Sequence, residues 1–99
     1  MTDYHDEEQQ AAEAAQSQLE RRKRDADDIR HVMSSEAGRR VIWRVLERGN
    51  VFSVIPPVDT QTMAFMEGQR NLALALFQRV MSCCPELYLT MADEANKQE

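Results

Sequence analysis

Little in this chain can cross-link it, span a bilayer or hold a metal. Its 99 residues contain two cysteines, the neighbours Cys83 and Cys84. A disulfide between adjacent residues closes a strained ring and staples nothing, so the pair fits a reducing compartment and reads as two small apolar residues ending a helix. No second Cys or His pair stands at ligand spacing, so neither a metal site nor a cofactor is expected. No apolar run approaches the roughly 20 residues that a membrane helix requires. Met1 to Gln10 is acidic and polar, the reverse of a signal peptide's basic and then apolar layout, which leads us to expect synthesis and retention in a cytoplasm. Aromatic residues make up only 6% of the chain. A core must therefore come mainly from Leu, Val, Ile, Met and Ala.

Positive charge is also scarce. Seventeen acidic residues outweigh twelve basic ones, for a net charge of −5, which argues against nucleic acid as a main partner because phosphates must be met by clustered Lys and Arg. One basic cluster exists, Arg21-Arg22-Lys23-Arg24. Glu20 precedes it and Asp25, Asp27 and Asp28 follow, at helical spacings that suggest a self-neutralised, solvated face. A Gly-rich phosphate loop, a Gly-x-Ser-x-Gly elbow and a histidine pair at metal spacing are all missing. We therefore expect no enzyme and no catalytic residues. His5 falls in a polar arm, and His31 beside an apolar stripe reads as solvated rather than ligating.

What is present is helical periodicity. The length allows one domain with a small core. Residues 1–24 read as an exposed helical arm, frayed toward Met1: Ala, Glu, Gln and Arg favour helix, yet Leu19 is its one large aliphatic residue and it has almost nothing to bury. Residues 25–95 read as an all-α domain of three to four helices, with 96–99 a frayed tail. Ile29, Val32 and Met33 start the apolar pattern. Ser35 suits an N-cap for a second helix from about Glu36 to Arg48, with Val41, Ile42, Val45 and Leu46 on its apolar face and Gly49 as its stop. Trp43 lies off the centre of that face, either a boundary residue with its ring half covered or an anchor for a partner.

Pro56-Pro57 forbids helix in the next segment, yet Val51, Phe52, Val54, Ile55 and Val58 make it apolar. Such a loop must pack back onto the domain or be covered by another chain. Asp59 or Thr60 caps a third helix reaching about Cys83, and Pro85 opens a short fourth. Leu87, Tyr88 and Met91 fold that last helix back, and fraying is expected from Ala92. Gly38 and Gly68 stand inside helical stretches, which suggests close approach of helices two and three there. Glu67 with Arg70, and Glu47 with Arg44 and Arg40, suggest a salt-bridge network fixing that crossing.

Gly38-Arg39-Arg40, Trp43-Arg44, Leu46-Glu47 and Val51-Phe52, followed by Ala64-Phe65, Glu67-Gly68 and Arg70-Asn71, resemble a family of small helical proteins of tailed bacteriophages. That family is named after a Bordetella phage protein. Asp28-Ile29-Arg30-x-Val32-Met33 and Pro85-Glu86-x-Tyr88-x-x-Met91 also fit, so the likeness runs from about Asp25 to Met91. The resemblance implies a virion-associated or assembly role without enzymatic activity. It implies phage structural proteins as partners, and a protein made in the host cytoplasm and then carried in the virion; the apolar loop and the helical arm lead us to expect copies that self-associate or dock on a larger assembly. A second reading, a small phage regulator that binds and inhibits a host protein, also suits a compact acidic helical domain.

Overall fold

A computed structural model describes residues Tyr4–Gln98. It is all-α, with α1 at Tyr4–Met33, α2 at Glu36–Arg48, α3 at Thr60–Cys83 and α4 at Pro85–Lys97. The local signals that start these helices act as their chemistry dictates. The Gly38 N–H donates to the Ser35 hydroxyl oxygen at 3.0 Å. Asp59 accepts from the Thr62 N–H at 2.9 Å and from its hydroxyl at 2.8 Å, and these bonds hold its carboxyl below the usual aspartate range. Each satisfies a donor that the first turn leaves without a partner. Pro85 occupies the start of α4, where its missing N–H costs nothing.

The arm and the first core-forming turns are one continuous helix. Nothing between Lys23 and Asp25 breaks it, so the boundary near residue 25 is a change in burial rather than in backbone. Every described residue from Tyr4 to Asp25 is exposed, and Ala26 is the first to be partly covered. The resulting molecule is long and thin, with extents of 64 × 38 × 16 Å and a radius of gyration of 19.1 Å, against about 13 Å for a compact chain of this length. Met1, Thr2 and Asp3, the start of the expected arm, and Glu99, the end of the expected tail, lie outside the described residues.

The core joins all four helices. Ile29 and Met33 from α1, Ile42 and Leu46 from α2, Val80 from α3, and Cys84 and Met91 around α4 are buried in one cluster. α1 packs on α3 and on α2, α2 also meets α3 and α4, and α3 meets α4. Hydrogen bonds to helix ends reinforce the packing. Arg30 donates to the Cys83 carbonyl at 2.7 Å, and Arg39 donates to the Met33 carbonyl at 2.9 Å.

Two local expectations change. α4 continues past Ala92 to Lys97, because Met91 is buried and Glu94 is tied to Arg39 on α2. The left-handed residue after α2 is Asn50, at φ 57°, while Gly49 has an ordinary φ of −82°. Asn50 and Val51 donate their N–H groups back to the Glu47 and Leu46 carbonyls, which closes the helix end.

Gly49 is required for another reason: a Cβ there would overlap the Cβ of Ala73 on α3. The close approach of α2 and α3 is therefore at Gly49, where Gly38 and Gly68 were expected to mark it. A Cβ at Gly38 would overlap the carbonyl of Val32 in the last turn of α1, whereas Gly68 faces open space.

Candidate functional site

The apolar loop between α2 and α3 folds back by one residue above all. The Phe52 ring stacks on Trp43 at 5.0 Å between centroids, meets Phe77 edge-on at 5.8 Å and lies 6.3 Å from Tyr88. Phe77 and Tyr88 also meet edge-on, at 5.4 Å. Offset and edge-to-face contacts match the positive ring edge to the negative face, so the cluster locks α2, the loop, α3 and α4 together. Phe52 nevertheless stays 45% exposed. Val51 and Ile55 are half-buried, while Val54, at 88% exposure, and Val58 remain outside.

Beside Trp43, α2 and α4 flank an open pocket of about 90 Å³. Arg40, Trp43, Arg44 and Glu47 line its α2 side, and Met91 and Glu94 its α4 side. Its frame is the bidentate pair of Arg39 and Glu94, with Nε to Oε1 at 2.5 Å and Nη2 to Oε2 at 3.1 Å. This hydrogen-bonded contact pushes Glu94 below the usual carboxylate range and raises Arg39 further. Arg39 thereby joins three helices, since it also caps α1. Arg40 pairs with Glu36 at 3.2 Å within α2.

A second groove, of about 200 Å³, runs between α2 and α3 and is lined by Val45, Arg48, Gly49, Gln69, Leu72 and Ala73. Leu72 is 75% exposed, and Phe65, two turns earlier on α3, is 66% exposed. This apolar strip is separate from the aromatic cluster.

The remaining candidate residues are dispersed. Arg44 and Glu47 are exposed and line the first pocket, and among the described residues neither forms an ion pair. Glu67 and Asn71 are exposed, and no ion pair to Glu67 occurs among the described residues. Arg70 is half-buried, with its Nε lacking a hydrogen-bond partner. The charged clamp between helices is instead Arg39–Glu94, whose members lie 55 positions apart. Sequence reasoning missed Glu94 because it stands in a polar stretch that looked frayed, and no local signal marks it.

The described residues contain no group of three or more His, Cys, Asp or Glu able to hold a metal ion. Cys84 is buried, and burial pushes its thiol up, away from the reactive thiolate. None of the described helices is long and apolar enough to cross a membrane.

The family model described as Bbp19-like phage protein matches residues 29–93. The chain belongs to this phage protein family. The match takes in the core-forming end of α1, all of α2 and α3 and most of α4, and with them the aromatic cluster, Arg39 and the groove between α2 and α3; it stops one residue short of Glu94 and leaves out the exposed arm. No curated protein and no solved structure matches the chain.

Proposed function

We propose that this phage protein is a virion-associated structural or assembly component, acting through protein–protein contacts and without catalytic activity. Head, head–tail connector and ejected protein set are the locations that suit it. The observation that carries the reading is the exposed arm of α1. A helical stretch from Tyr4 to Arg24 that buries nothing in its own chain gains further tertiary stabilisation by packing on another surface. The exposed apolar residues Val54, Phe65 and Leu72 add contact area of the same kind.

Mass spectrometry of purified particles from the source phage tests the proposal, combined with the timing of expression during infection. Detection in particles and late expression support it. Absence from particles, early expression and capture of a host protein would replace it with the host-directed regulator.

A further inference from the structure

The arm carries an unusual charge order. Asp6, Glu7, Glu8 and Glu13 occupy its first half without a Lys or Arg among them, and Arg21, Arg22, Lys23 and Arg24 occupy its end. The helix dipole accounts for Asp6 and Glu7 in the first turn. It does not account for a basic block that ends more than two turns before Met33. Nor does the domain neutralise that block: Asp25 reaches Arg79 on α3 and Asp27 reaches Arg30. Among the described residues, no ion pair involves an acid or a base of the arm. The acids Glu20, Asp25, Asp27 and Asp28 stand at helical spacing from the block, yet none is ion-paired to it among the described residues.

The charges also fall on a definite face. Tyr4, Glu8, Ala11, Ala15, Leu19, Arg22 and Ala26 follow one another at spacings of three and four, so they form one stripe along α1. This stripe continues into Ile29 and Met33, the residues that α1 buries in the core. Along the arm it has no partner. Its order is symmetric about Ala15: two copies running in opposite directions with Ala15 on a two-fold axis set Ala11 against Leu19 and Tyr4 against Ala26. The same arrangement sets Glu8 against Arg22 and, at the flank, Glu7 against Lys23. A parallel pair would place Glu8 on Glu8 and Arg22 on Arg22.

We infer that the arm is a self-recognition element, pairing antiparallel with the arm of a second copy about Ala15. The small side chains of Ala11 and Ala15 let the two helices approach closely near the axis. Charge complementarity sets direction and register, the work that flanking charges do in helix pairing. Such a contact is isologous and closes at two copies. At each end, Tyr4 of one copy, 84% exposed in the single chain, arrives where the other copy's arm joins its domain. There a groove of about 530 Å³ between α1 and α3 is lined by Arg22, Ala26, Gln78 and Arg79 among others. The pairing rests on the reading of the arm as a contact element, and not on any position in a virion.

Sedimentation of the full-length protein over a concentration series, at low and high salt, tests this. The expected result is a dimer that weakens with salt. Glu8→Arg and Arg22→Glu each raise the dimer dissociation constant by about tenfold or more, since symmetry makes each change count twice. The double variant restores dimerisation. These positions are exposed, and circular dichroism confirms that each variant keeps its helix content.

Register is read by cysteine cross-linking. Ala15→Cys oxidises to a dimer linked at position 15, while Ala11→Cys, which faces Leu19, does not link to itself. A monomer at every concentration overturns the inference, as does a dimer indifferent to both charge changes or one that cross-links through position 11. Such a failure leaves particle proteomics to decide the virion reading separately.

Discussion

The same substitution, Gly→Ala, is expected to act with opposite signs at different sites of this chain. At Gly68 a methyl group meets nothing within 4 Å, and the residue sits inside α3. The exchange there gains the helix propensity of alanine, about 1 kcal/mol, or roughly 4–8 °C in Tm. At Gly49 the backbone is ordinary, so no strain is relieved or added by the dihedral angles. The new methyl, however, overlaps the Ala73 Cβ and comes within 3.3 Å of the Gln69 carbonyl and 3.4 Å of the Val45 carbonyl. Ala73 is 2% exposed and cannot rotate away, so α2 and α3 must separate. Overpacking of this kind costs about 1–3 kcal/mol, and the entropy gained by removing a glycine offsets less than 1 of it. The net expectation is a loss of about 1–2 kcal/mol, or roughly 5–15 °C. Gly38→Ala is harsher still, since its methyl overlaps the main-chain carbonyl of Val32 and lies 3.0 Å from the capping Ser35 hydroxyl oxygen. Thermal and urea melts of the three single variants, followed by circular dichroism, measure these effects. A neutral Gly49→Ala, or a destabilising Gly68→Ala, would refute the assignment of the α2–α3 contact.

Four further outcomes are expected. Deleting residues 1–24 leaves a cooperative thermal transition, because no described residue of the arm is buried; its loss would show that the arm supports the fold. Glu67→Ala shifts stability by no more than about 0.5 kcal/mol in denaturant melts, as fits an exposed side chain away from any buried network. Phe52→Ser removes three aromatic contacts from a half-exposed ring and costs about 2 kcal/mol, roughly half the loss at a fully buried phenylalanine; an unchanged melt would mean the loop does not hold α2 to α4. Glu94→Gln alters the pH dependence: Arg39 lowers the native pKa of Glu94, so its contribution is present above the unfolded glutamate's titration and is lost as pH falls through the native value. Melts across the acid range should show a smaller acid-induced loss in Glu94→Gln than in the wild type, and identical slopes would contradict the clamp.

The helices and most of their limits were readable along the chain because their causes are local. Ser35, Asp59 and Pro85 act within one turn, and the apolar spacing picked out Ile29, Met33, Ile42 and Leu46, which are buried, together with Val32, Val41 and Val45, which stay exposed because no helix of the chain covers them. The bareness of the arm was equally readable. A stretch with one large aliphatic residue has nothing to bury, whatever the rest of the fold does. What defeated local reading depends on residues far apart in sequence. Ala92 onward looks frayed because its own composition is polar, yet Arg39 arrives from α2 to hold Glu94. Gly49 looks like a left-handed stop, but Asn50 takes that conformation, and Gly49 is needed because Ala73 lies against it.

The loop shows both levels in one segment. Its apolar character demanded a cover, and composition alone established that. Which side chains would be covered was decided by ring geometry: Phe52 reaches Trp43, Phe77 and Tyr88, whereas Val54 points away and stays exposed. Sequence by itself thus determined the helices, the bare arm and the need to cover the loop, because propensity, capping and burial demand act over a few residues. Tertiary structure alone decided the Gly49 contact, the Arg39–Glu94 clamp and the aromatic cluster, because each requires two segments to meet and the distance between them along the chain carries no trace of that meeting.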